Sequence, residues 1–193
     1  MTSWEALAMF LSLLYIILAI KQSLWCWPAA FFSTLIYAIL FFDASLLMDS
    51  FLNAYYLVMA VYGWYTWKYT NAIKKNEELS ISSYGLNKNI KIILILSIIS
   101  VLLGYVMDNY TKADFAYTDS ATTVFALFAT YMLAQKIVEN WLYWIVIDSA
   151  SIYIYIQKGF YLTSILFGLY TILALLAYQT WKRELTLDVS RNS

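Results

Sequence analysis

Seven stretches of this chain are apolar for seventeen residues or more, and that single property removes most folds from consideration. They cover residues 4–20, 25–42, 46–67, 90–107, 120–137, 141–157 and 160–181. A helix crossing a bilayer needs roughly 20 apolar residues, within a range of about 17–25. Spanning strands would instead show segments of about ten residues with alternating polarity, and these runs are longer and uniformly apolar. Soluble domains carry about a quarter charged residues. Here the charged fraction is 12% and the apolar fraction 63%, with a mean hydropathy of +0.66. The expected fold class is therefore an all-α membrane protein of seven transmembrane helices, with the lipid bilayer as solvent.

Several functions are excluded at the same stage. The chain has no histidine and one cysteine, Cys26, so no internal disulfide, cysteine zinc site or histidine-based catalysis is expected. Cys26 is read as a packing residue. No Gly-x-x-x-x-Gly-Lys-Ser/Thr loop occurs. The net charge is zero, which gives no basis for nucleic-acid binding. Neither a resident cofactor nor a metal is called for. The first segment lacks a positive leading region and a small-residue cleavage site, so it is expected to be a retained helix and not a signal peptide.

Lysine and arginine set the orientation. Ten of the twelve fall on one side: Lys21, the five from Lys68 to Lys91, Lys136, Lys182, Arg183 and Arg191. Lys112 and Lys158 fall on the other. The N-terminus is expected outside and the C-terminus in the cytoplasm.

The chain also repeats itself. Tyr65-Thr66-Trp67-Lys68 aligns with Gln179-Thr180-Trp181-Lys182 at an offset of 114 residues. The same offset pairs Ala60 with Ala174, Tyr56 with Tyr170, Leu52 with Leu166, Ser50 with Ser164 and Trp27 with Trp141. Eight of 42 aligned positions are identical, and the helix ends coincide. Segments 1–3 thus recur as segments 5–7 around an odd fourth segment, a 3+1+3 plan with parallel repeats. The expected divisions are 1–68 for the first bundle, 69–113 for a cytoplasmic loop and linker helix, 114–183 for the second bundle and 184–193 for a cytoplasmic tail. Parallel repeats are a transporter architecture, with substrate held between them near the midplane. A duplicated bundle without a pathway is the plainer alternative.

Charge inside a membrane segment is expensive and marks candidate sites. Trp141, Trp144, Asp148, Ser151 and Tyr155 are spaced 3, 4, 3 and 4, which places them on one helical face. The matching face of the second segment reads Trp27, Ala30, Thr34, Tyr37 and Phe41, so the acid occurs in one repeat only. The third segment adds Asp49, Asn53 and Tyr56, and the fifth opens with Asp119, Thr122 and Thr123. No lysine or arginine lies in the middle of any segment. Acid among aromatic rings favours a cationic or polarised ligand, since a cation over a ring gains about 0.5–2 kcal/mol. Plainer readings stand beside these. Trp25, Trp27, Trp64, Trp67 and Trp181 lie near segment ends, as interfacial belt residues do. Asp49 sits close enough to a segment end to be wet. Asp148 as a neutral acid could bond a neighbouring helix, and Asn53 could be interhelical glue. Pro28, in a first turn, need not mark a hinge.

Three motifs in order carry a resemblance: Trp25-Cys26-Trp27-Pro28, Tyr62-Gly63-Trp64-Tyr65-x-Trp67 and Glu139-Asn140-Trp141-x-x-Trp144, with Lys158-Gly159-x-Tyr161 following. They resemble the PnuC family of vitamin transporters, from about residue 12 to 183. The resemblance implies a fold like that of a full-length SWEET transporter and uptake of a B-type vitamin: nicotinamide riboside in the namesake members, thiamine or riboflavin in relatives. It implies facilitated diffusion, with a cytoplasmic kinase trapping the vitamin as its phosphate. The Trp-x-x-Trp pair maps to Trp141 and Trp144 with Asn140 beside them, and the polar-aromatic pair of the third segment to Asn53 and Tyr56. Many members have glutamine at the position of Asn53, one methylene longer.

Nicotinamide riboside and thiamine are both flat cations, and an acidic aromatic site suits both; riboflavin is neutral and suits it less. A vitamin uniporter, a proton-coupled transporter using Asp148, and a membrane enzyme or scaffold are the competing readings. Oligomeric state is open, a homo-oligomer included. A bacterial inner membrane is the expected location.

Overall fold

In the computed structural model, residues 3–43, 47–73, 79–111, 115–157 and 159–192 are described. They form seven helices: α1 (Ser3–Ile20), α2 (Cys26–Asp43), α3 (Leu47–Ile73), α4 (Gly85–Tyr110), α5 (Ala116–Ala134), α6 (Asn140–Gln157) and α7 (Tyr161–Asn192). A helix satisfies its own backbone polar groups, the condition lipid imposes on a crossing segment. The β-pairing among the described residues is a single bridge between Ser82 and Ile137. By length and composition alone, α1, α2, α4 and the Thr163–Leu187 stretch of α7 are apolar enough to cross a membrane.

The 114-residue offset reappears in backbone geometry. Gln22 and Lys136, 114 apart, both stand at φ 52°. At the end of α1, Ser23 N–H donates to Leu18 O (2.9 Å) and Gln22 N–H to Ala19 O (3.0 Å). At the end of α5, Ile137 N–H donates to Met132 O (2.9 Å) and Lys136 N–H to Leu133 O (3.0 Å). Each is a Schellman closure, built without the usual glycine. The next helices open alike, Cys26 N–H donating to Ser23 O (3.0 Å) and Asn140 N–H to Ile137 O (3.1 Å). Ser50 Oγ donates to Ala38 O (2.9 Å), and its counterpart Ser164 Oγ to Ile152 O (3.4 Å).

The described chain divides into two compact units. The first comprises Met1–Ile81, Leu133–Lys136 and Thr180–Ser193. Within it α2 packs on α1 and α3, through small buried residues such as Ala8, Ala19, Ala29 and Ala30. Small side chains let helix backbones approach where lipid offers no hydrophobic drive. Ser12 and Ser33 hydroxyls lie 2.7 Å apart, and both reach Ala8 O at 2.9 Å. Gly63 of α3 faces the Trp27 ring so closely that a Cβ there would clash with it at 2.3 Å.

Tryptophans read as belt residues divide here. Trp25 is exposed and Trp64 half-buried, but Trp27, Trp67 and Trp181 are buried. Trp67 Nε1 donates to Ala134 O (3.1 Å), and Trp181 Nε1 to Ile20 O (3.2 Å) and Ala19 O (3.3 Å). Their acceptors are the carbonyls a helix C-terminus leaves open. Lys136 Nζ lies 4.8 Å from the Trp67 ring centre and donates to Gln22 Oε1 (3.0 Å), while Gln22 Nε2 donates to Glu184.

The second unit comprises Ser82–Met132 and Ile137–Gln179. Its α4 is fastened at both ends. At the start, Glu139 Oε1 accepts from Ser83 Oγ (2.5 Å), Tyr84 N–H (3.1 Å), Gly85 N–H (3.2 Å) and Asn89 Nδ2 (3.2 Å). A carboxylate here satisfies open N–H groups and complements the positive helix end. Towards the finish, a Cβ on Gly104 would lie 2.6 Å from Tyr117 Cδ1. The outer side of α4 exposes Leu94, Ile95, Ile98, Leu102 and Tyr105, the surface a lipid-facing helix presents.

Candidate functional site

Helix α6 buries polar side chains, Asn140, Asp148 and Ser151, among apolar ones, and exposes large apolar residues on its other side. Val146 on its outer face is 69% exposed, while Trp141 and Asp148 are 3% and 4% exposed. Ser151 is buried too, and Trp144 and Tyr155 are half-buried. The spacing of five residues expected on one face thus describes the inward side of α6. Asp148 makes no hydrogen bond or ion pair with any described residue. A buried carboxylate of this kind calls for a proton or a cation.

Asn140, at 0% exposure, opens the helix. Its Nδ2 donates to Ile137 O (2.6 Å), and its Oδ1 has no partner among the described residues. An unmet buried acceptor loses about 1–3 kcal/mol relative to a satisfied one, so this oxygen is a ready seat for a donor. Tyr143 turns its hydroxyl to Asn89 Oδ1 (3.2 Å), which joins the first turn of α6 to the Glu139 cluster at the start of α4. Glu139 was quoted within a motif, but its capping of a helix some 54 residues away has no sequence periodicity to reveal it.

The remaining candidates are distributed by unit. In the second, Thr122 and Thr123 are half-buried on α5, and the Thr122 hydroxyl bonds back to Thr118 O (3.1 Å) and Asp119 O (3.0 Å). In the first, Thr34 of α2 donates to Ala30 O (2.8 Å), and Tyr37 stacks on Phe41 at 5.6 Å and 15°. Asn53 and Tyr56 are half-buried on α3, with Tyr56 edge-on to Tyr55. The side chain of Asp49 lies outside the described residues.

A family description matches residues 2–183, nearly the whole chain: the nicotinamide mononucleotide transporter family. The chain belongs to this family, that of PnuC. Against the nicotinamide riboside transporter PnuC of Escherichia coli it is 26% identical over 205 residues, covering 93% of this chain and 85% of the relative. Against the riboflavin/roseoflavin transporter RibM of Streptomyces davaonensis it is 23% identical over 172 residues, covering 89% and 80%. The crystal structure of the vitamin B3 transporter PnuC superposes with a TM-score of 0.77 over 98% of this chain and 83% of that one, at 16% identity. The shared fold is thus the PnuC fold, and this PnuC-family chain is a multi-pass membrane protein of a transporter family. The sequence motifs had pointed to the same family.

Proposed function

We propose that this PnuC-family protein takes up a cationic B-type vitamin, with nicotinamide riboside the first candidate and thiamine the second. The observation that carries the reading is Asp148, a carboxylate 4% exposed on the inward side of α6 with no partner among the described residues. A pyridinium or thiazolium ring supplies the missing charge. Trp141 and Trp144 offer ring faces for stacking, and the Asn140 oxygen accepts from a ligand donor such as a carboxamide N–H. Thr34, Tyr37, Asp49, Asn53, Tyr56, Thr122 and Thr123 are proposed as further contacts. The relative named as a nicotinamide riboside transporter favours the first candidate, and the one named for riboflavin makes a neutral vitamin the control ligand.

Transport in this reading is facilitated diffusion across a bacterial inner membrane, with the N-terminus outside, the C-terminus in the cytoplasm and a cytoplasmic kinase trapping the product. Proteoliposomes loaded with the matching kinase and ATP should accumulate phosphorylated vitamin from outside. Absence of phosphate ester from both nicotinamide riboside and thiamine would exclude the proposal.

The same unpartnered Asp148 supports a second reading, proton coupling, in which the carboxyl carries a proton whenever the ligand is absent. Uptake with and without an imposed pH gradient separates the two. An unchanged initial rate removes proton coupling.

A further inference from the structure

Trp27 is packed on every side, yet its indole N–H is left unmet among the described residues. Its ring is 2% exposed. It packs edge-on against Trp67 at 5.2 Å and 85°, tilts against Tyr15 at 6.4 Å, and occupies space that Gly63 leaves by having no Cβ. Its indole N–H has no acceptor among the described residues. The other two buried tryptophans of the unit behave differently, since Trp67 and Trp181 each deliver their N–H to a carbonyl oxygen. A phenyl ring at position 27 would be aromatic without burying an unmet donor. Buried polar atoms that lack a partner call for an explanation of this sort.

The internal repeat gives a second, independent pointer. Trp27 stands 114 residues before Trp141. The two helix openings share their backbone hydrogen bonds: Trp27 N–H donates to Leu24 O (3.3 Å) and Trp141 N–H to Val138 O (3.4 Å). Trp27 is thus the first repeat's version of a residue on the inward face of α6.

We propose that Trp27 is a ligand-contacting residue whose indole N–H donates to an acceptor oxygen, an amide carbonyl or a hydroxyl, of the transported molecule. This rests on the vitamin-uptake reading above and adds to it a specificity-determining donor on the first repeat.

The test is Trp27→Phe, which keeps a ring and deletes the donor. Purified wild-type and variant proteins are titrated calorimetrically with nicotinamide riboside, thiamine and riboflavin, and their thermal unfolding is recorded without ligand. The expected result is a Kd raised roughly 3- to 10-fold for the vitamin the wild type binds, the range of a single neutral hydrogen bond, with cooperative unfolding of the unliganded variant retained. An analogue of that vitamin lacking the contacted oxygen should bind both proteins equally. An unchanged Kd in the variant overturns the Trp27 proposal and leaves the uptake reading standing. If the wild type binds none of the three vitamins, both readings fall together.

Discussion

Trp67 and Trp181 exchange roles across the repeat: the indole of Trp67 closes the end of α5 at Ala134 O, and the indole of Trp181 closes the end of α1 at Ile20 O. Donors and acceptors are each 114 residues apart, and the two rings lie 6.4 Å from one another. Each repeat therefore finishes a helix that belongs to the other.

Removing either donor should have a similar effect. Trp67→Phe and Trp181→Phe are each expected to destabilise the protein by about 1 kcal/mol, seen as a lowered Tm in detergent. Because the rings touch, the double variant should depart from additivity. A Trp181 variant with unaltered Tm beside a strongly affected Trp67 variant would contradict the reciprocity.

Gly63→Ala should be among the most damaging single-methyl changes in the first unit, because the added carbon collides with the Trp27 ring. Overpacking of this kind loses about 1–3 kcal/mol. Combining it with Trp27→Phe, a smaller ring, should recover part of the loss. Unfolding temperatures of the two single variants and the double variant measure the recovery.

Asp148→Asn should separate binding from folding. Losing the carboxylate is expected to weaken a cationic vitamin at least tenfold by calorimetry. Stability should hold or rise, since a buried, unpaired charge no longer has to be accommodated. An asparagine variant that binds the cation as tightly as the wild type would remove Asp148 from the site.

Glu139→Gln keeps the shape and weakens the acceptor for two backbone N–H groups at the start of α4. Hydrogen exchange across the first turn of α4 should accelerate, with a stability loss of about 1–2 kcal/mol. Exchange in the middle of α4 should stay as it is.

Helices α1, α2 and α6 were legible to within a residue or so because apolar runs ended where helices ended. The expected stop of the third segment at 67 and of the seventh at 181 fell short of Ile73 and Asn192. Hydropathy drops at Lys68 and Lys182, but lysine, arginine, glutamate and leucine continue a helix readily. The fifth segment was placed at 120–137 against Ala116–Ala134, because the residue that turns the chain at positive φ is Lys136, not glycine. The fourth was started at 90 instead of Gly85 because Asn87, Lys88 and Asn89 interrupt the apolar run. The inward stripe of α6 was readable from helical period alone. The burial of Trp27, Trp67 and Trp181 was not, because position near a segment end says nothing of which partner covers a ring. The Gly63 notch and the two α-helical ends capped by indoles exist only once distant segments meet.

Glutamate capping at one end of α4 and the Gly104–Tyr117 contact towards the other mean that this helix is no slack tether. It is wedded to the half that follows it, and a chain divided after Ile73 would send α4 off with α5 and α6. The odd fourth helix thus belongs with the second repeat, and the two three-helix repeats are unequal in what they carry.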